Sequence, residues 1–161
     1  MRRALRALSV VLIVVGALAL VDGALTLLWK EPVSSLYARV EQERLDGQLA
    51  ELEQAQSTPV ERRAMAQLPD PRRRLAFSAR ALGRRTDEGD AIGRLRADAI
   101  GLDTIVVEGT GSSDLRKGPG HYPDAPLPGQ RGTVAIAGHR TTYGAPFRHV
   151  DALRRLSLIH I

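Results

Sequence analysis

Apolar residues follow four different patterns along this chain. Residues 7–29 are apolar apart from Asp22 and a few small or hydroxylated side chains. At a rise of about 1.5 Å per residue such a stretch spans a hydrocarbon core of about 30 Å, which predicts a transmembrane helix. Pro32 ends it. Leu36, Val40, Leu45, Leu49 and Leu52 then recur at near-helical spacing among Glu, Gln and Arg, with Ser34 or Ser35 placed to cap the start. Gly47 interrupts this pattern at a cost of about 1 kcal/mol relative to alanine, so the expectation is a solvated helix and not a strong coiled coil. Ser57-Thr58-Pro59 and Pro69-Asp70-Pro71 break the chain. Between and after them, residues 60–68 are expected to form a turn or two, and residues 72–85 a short basic helix or an irregular stretch.

The period changes at Gly89-Asp90. Residues 91–96 alternate apolar and polar, as in a half-buried strand. Ile100-Gly101-Leu102-Asp103 turns the chain, and residues 104–108 read as a second strand rich in β-branched side chains. Residues 109–114 form a loop able to cap one helical turn around Leu115. Residues 118–129 are dense in Gly and Pro, which predicts a long surface connection with little regular structure. Residues 134–137 are small and apolar, too short for a helix and bounded by glycines, and so read as a buried strand. Gly138 ends that strand and leaves His139 where the chain departs from the core. Thr141, Thr142, Tyr143 and Gly144 follow as loop, and Pro146 opens a short helical pattern, Phe147, Val150 and Leu153, on one face.

Charge and composition narrow the classes. Lys and Arg number 23 against 18 acidic residues, a net +5, in a chain of 161 residues, enough for about one domain. A basic balance suits nucleic acid or an anionic membrane surface, but aromatics make up only 4% and do not interleave with the basic residues, so nucleic acid is set aside. There is no cysteine, which excludes disulfides and cysteine metal sites. His121, His139 and His149 lack the pair spacing of metal ligands, so neither a metal nor a cofactor is expected.

Arg2, Arg3 and Arg6 precede the apolar stretch, and Trp29-Lys30 close it. Positive charge on the leading side places the N-terminus in the cytoplasm, and Trp29 suits an interfacial anchor. Ala17-Leu18-Ala19 offers a signal-peptidase-like site, but apolar residues run well past it, which favours an uncleaved single-pass anchor with the following domain outside the cytoplasm. Asp22 is expected near the outer interface.

The words Leu115-Arg116-Lys117-Gly118-Pro119-Gly120-His121-Tyr122-Pro123, Leu127-Pro128-Gly129-Gln130 and Ala137-Gly138-His139-Arg140 occur in order across residues 89–155. Together they resemble the sortases, nearest to the class D and E type of high-GC Gram-positive bacteria. The resemblance implies a mainly β fold: part of a sortase-type β-barrel, preceded by the transmembrane helix and a helical stalk. It departs from the family's pattern at Ala97-Asp98, where an Ile-Pro pair usually stands.

The implied organisation is a cytoplasmic tail at 1–6, a transmembrane signal anchor at 7–29, a stalk and linker at 30–88, and the N-terminal half of a sortase domain at 89–155. Residues 156–161 are what a common sequencing-library transposon adapter encodes in frame, and are expected to be non-native. Sortases resemble one another in cutting a sorting signal on a secreted protein with a cysteine thiolate. An amine from a peptidoglycan precursor or a pilin lysine then resolves the thioester. The resemblance makes His139 the catalytic histidine. The family's cysteine and arginine lie later in its sequence, so this fragment is expected to be inactive, and no arginine here takes that role. The rival readings are a non-catalytic membrane-anchored binding protein and a plain stalk protein.

Overall fold

The computed structural model describes residues 2–29, 32–55, 58–155 and 157–161, with side chains at 6–24, 33–55, 58–155 and 157–161. The flanking Arg2, Arg3, Trp29 and Lys30 of the expected anchor, and Leu156, lie outside the described side chains. Two compact units divide the chain, Met1–Val33 and Ser34–Ile161.

The first unit is dominated by α1, Arg2–Trp29. Its segment Arg6–Ala24 is long and apolar enough to cross a membrane, and none of that window is buried. Leu12, Ile13, Leu18 and Leu20 all point outward, at 63%, 69%, 63% and 77% exposure.

In the second unit, α2 (Pro32–Gln54), α3 (Pro59–Ala66) and α4 (Pro71–Gly83) precede the sheet. The proline-containing breaks each end one helix and start the next. Thr58 caps α3 through a capping box: its hydroxyl accepts from the Glu61 amide at 3.2 Å, and the Glu61 carboxylate accepts from the Thr58 amide at 2.9 Å. That backbone bond, with help from the Thr58 hydroxyl and Arg85, holds the Glu61 carboxyl below its ordinary value. The cap therefore contributes at neutral pH and is lost as acid titrates Glu61 through that lowered value. Asp70 caps α4 by accepting from the Arg72 amide at 2.9 Å, with Pro71 pre-set in the first turn.

The sheet has four strands in the order β1-β2-β3-β4: Ala91–Ala97, Leu102–Glu108, Gly120–His121 and Ile136–Ala137. β1 and β2 pair antiparallel through a turn closed by Gly101 at φ +64°. β2 and β3 are parallel, joined by the crossover helix α5, Ser112–Lys117, and β4 returns antiparallel to β3. β2 is buried on both faces. Ile105 and Val107 meet Leu45, Leu49 and Ala91 on one side. Val106 meets Leu95, Ala97 and Leu102 on the other, covered by Ile92, Ile100, Ile136 and Phe147. The β-branched run in β2 is the composition that a two-sided burial requires. The ladder slips between Ala91 and Gly93. That bulge carries Ala91 to the helix side while Ile92, Leu95 and Ala97 stay on the far side.

Five expectations change. The chain is about half helical, so the mainly β description holds at most for the part after the expected N-terminal helix and stalk, where the strands are of seven, seven, two and two residues. α2 is not a solvated helix. Its buried stripe is Ala38, Leu45 and Leu49, while Leu36 and Val40 are 64% and 57% exposed, so the inward face is rotated from the leucine pattern. Residues 118–129 contain β3, with His121 at 1% exposure. Gly120 makes this strand possible: a Cβ there would lie 2.0 Å from the Gly109 carbonyl oxygen. The run 134–137 contributes only Ile136–Ala137 to the ladder, and the pattern after Pro146 is a turn followed by one 3-10 turn, Val150–Ala152. The last residues lie along β1, where Arg96 and His160 exchange both backbone bonds at 2.8 and 2.9 Å.

The packed stripe is testable by denaturation. Leu45→Ala, at 2% exposure, should destabilise the second unit by about 2–5 kcal/mol, whereas Val40→Ala should stay within about 0.5 kcal/mol. Equal small effects would return α2 to the solvated state that its sequence suggests.

Candidate functional site

His139 follows β4 by two residues and is half-buried. Gly138 lets the chain turn there under an aromatic cover, since a Cβ on it would come within 2.8 Å of the Phe147 ring. Phe147 returns the contact through its backbone, donating its amide to the His139 carbonyl at 3.0 Å. The imidazole is oriented by the crossover helix: Nδ1 lies 3.0 Å from the Leu115 carbonyl oxygen. A carbonyl only accepts, so Nδ1 carries the proton in this pair. Nε2 is then the free nitrogen of the ring, with no hydrogen-bond partner among the described residues.

The Tyr143 ring sits against the imidazole, with centroids 5.0 Å apart and planes tilted by 54°. Tyr143 itself is crowded from two other directions, by the edge of Tyr37 at 6.3 Å and by the Arg116 guanidinium at 5.8 Å from its centroid. The loop that carries it is strained. Tyr143, Gly144 and Ala145 occupy the left-handed region in succession, at φ 49°, 74° and 46°. Glycine takes that conformation freely, but for Tyr and Ala it costs roughly 1–2 kcal/mol each. The strain is held by the Ala145 amide donating to Thr142 at 2.8 Å and the Tyr143 amide donating to the Ser34 hydroxyl at 3.3 Å.

The other singled-out residues are placed apart. His121 spends both ring nitrogens inside the fold, Nδ1 3.0 Å from Glu108 Oε2 and Nε2 3.3 Å from the Pro126 carbonyl oxygen. It borders a cavity of about 300 Å³ with Arg80, Arg84, Glu108 and Gln130. His149 is exposed. Arg140 turns away to Asp151 at 2.9 Å and the Arg148 carbonyl at 3.4 Å. Among the described residues no group of three His, Cys, Asp or Glu is placed to hold a metal ion. Leu115, Tyr143, Tyr37 and Ser34 were not legible as site residues. Leu115 acts through its backbone, which leaves no mark on residue type, and Ser34 and Tyr37 lie more than a hundred residues upstream.

The family model for the sortase domain matches residues 95–161. Sortase D of Bacillus subtilis (strain 168) is 40% identical over 69 residues, which is 43% of this chain and 33% of that protein. The chain thus spans about a third of the length of the curated relative it matches. A solved sortase E from Streptomyces avermitilis is 38% identical, covering 42% of this chain and 46% of that one, with a TM-score of 0.41. A Clostridium perfringens sortase D5 transpeptidase is 22% identical, covering 78% of this chain and 64% of that one, with a TM-score of 0.50. The last likeness shows the fold and extends to the helical part of this chain.

The tight cover over Gly138 gives a paired prediction. Gly138→Ala should cost about 1–3 kcal/mol as Phe147 is displaced. Gly93→Ala, where an added Cβ meets nothing within 4 Å, should change stability by less than about 1 kcal/mol. Matched denaturant midpoints for the two would refute the aromatic cover.

Proposed function

We propose that this chain is the N-terminal part of a membrane-anchored class D or E type sortase whose catalytic histidine is His139; the match of the sortase-domain family model to residues 95–161 supports this reading. The complete enzyme is a cysteine transpeptidase that attaches sorting-signal proteins to a cell-wall or pilin amine. The observation that carries the assignment is the Leu115 hydrogen bond, which fixes one ring nitrogen and leaves Nε2 for proton transfer. In sortases a thiolate attacks the threonine carbonyl of the signal. As the peptide bond breaks, the imidazolium gives its Nε2 proton to the departing amine nitrogen, and the acyl group remains as a thioester. The incoming amine then attacks the thioester, loses a proton to the imidazole and releases the thiolate.

The apolar α1 anchors the enzyme in the membrane, and Arg2, Arg3 and Arg6 keep its N-terminus in the cytoplasm, with the catalytic domain outside. No cysteine stands among these 161 residues to serve as the nucleophile, and none of their arginines is assigned to the oxyanion. Without a cysteine this chain by itself forms no acyl-enzyme.

Two measurements test the reading. A reporter joined after Arg155 should be active only in its extracytoplasmic form, and a cytoplasmic signal would reverse the topology. In a complete enzyme that carries this segment, His139→Ala should lower kcat by about 10²- to 10⁴-fold with little change in melting. His149→Ala should leave both unchanged, because that side chain is exposed. His121→Ala should lower the melting temperature, because a buried hydrogen-bonded ring is lost. Near-normal turnover in His139→Ala would refute the assignment.

A further inference from the structure

Between the buried Ala38 and Leu45 of α2 stands a polar side chain, Gln42. It is the most heavily bonded side chain described in the second unit. Its Nε2 donates to the Ile105 carbonyl at 3.1 Å and to the Lys117 carbonyl at 3.0 Å. Its Oε1 accepts from the Thr104 hydroxyl at 2.9 Å and from the Ile105 amide at 2.7 Å. Both donors and both acceptor positions of the amide are therefore used. Lys117 ends α5, the helix whose Leu115 carbonyl orients the His139 ring. Two turns earlier on α2, Ser34 accepts from the Tyr143 amide and Tyr37 packs edge-on against the Tyr143 ring, which in turn lies on His139.

We infer that α2 positions the imidazole of His139 from two sides, with Gln42 acting through α5 and Leu115, and Ser34 and Tyr37 acting through Tyr143. These are positioning residues: none touches the imidazole itself. The inference deepens the catalytic reading of His139 and rests on it for its functional meaning. A helix whose sequence suggests a spacer is thereby part of what sets the tautomer and aim of the reacting ring. The two sides do different work. The α5 side fixes the carbonyl that claims Nδ1. The Tyr143 side restrains ring rotation and supports a loop that is strained on its own.

The experiment uses the full chain in detergent micelles, labelled with ¹⁵N at its four histidines. Ring nitrogen shifts of neutral His139 give the ratio of the Nδ1–H to the Nε2–H tautomer, and thermal melting is recorded beside it. Gln42→Glu keeps an acceptor for Thr104 and the Ile105 amide but opposes an oxygen to the Ile105 and Lys117 carbonyls. Tyr37→Leu removes the edge contact at a side chain 44% exposed, so it folds even where Gln42→Glu does not. Leu49→Ala is the control, since it loosens the same helix against Ile105 and Val107 while removing no hydrogen bond or ring contact of either route. The ratio should fall about three- to tenfold in Gln42→Glu or Tyr37→Leu, the range of an ordinary hydrogen bond, and hold within about twofold in Leu49→Ala. Any other result overturns the inference, including a shift in Leu49→Ala as large as in the other two. The readout involves no turnover, so its failure is distinct from a failure of the catalytic assignment.

Discussion

One primary amide decides where a helix may sit on this sheet. β3 is only two residues long and pairs with β2 at Val107 and Glu108, so it stops short of Ile105. The amide and carbonyl of Ile105 on that edge would be left bare, at a cost of about 1–3 kcal/mol for each buried group without a partner. The Gln42 side chain takes both, and in effect adds one residue of strand from a helix. Such a contact is strict in all three dimensions. Leucines on the same stripe tolerate sliding, because apolar packing has no preferred direction, but a fully used amide does not. Ionic contacts support the same placement, with Arg94 of β1 joined to Asp46 of α2 and to Asp103 of β2.

From that fixed helix the remaining geometry follows by short steps. The sheet fixes β2, the crossover returns through α5, and the last turns of α5 present one carbonyl to one histidine. Across the ring, two non-glycine residues are kept in left-handed backbone by contacts with α2 and within the loop. Strain of this kind persists only where neighbours over-determine it, and such strain clusters at functional sites. The Arg116 guanidinium lies over the Tyr143 ring, 5.8 Å from its centroid.

The sequence carried β1 and β2, because the half-buried alternation of the first and the two-sided burial of the second both write themselves into residue type. It singled out His139 through the ordered loop words around it, and the structure sets that ring against Leu115 and Tyr143. It misplaced the inward face of α2, because Leu36 and Val40 mimic a stripe while the true one substitutes an alanine and a glutamine at inward positions. Neither residue registers as core by type. Gly120 hid β3 in the same way, since a glycine that permits close backbone approach looks identical to one that permits a turn. The bulge at Ile92 was also invisible, because a one-residue slip preserves the apolar alternation while changing the face it serves.

The position of Gln42 bears on where this chain can be divided. The composition changes at residue 89, and a boundary drawn there looks natural. A protein beginning at that point would lose the amide that completes the edge of β2, the leucines that cover Ile105 and Val107, and the hydroxyl that holds the Tyr143 loop. The sheet would keep its sequence and lose its lid. The seam that leaves every such contact intact lies ahead of Ser34, which makes the helix an inseparable part of the domain in any recombination, excision or transplant of the fold.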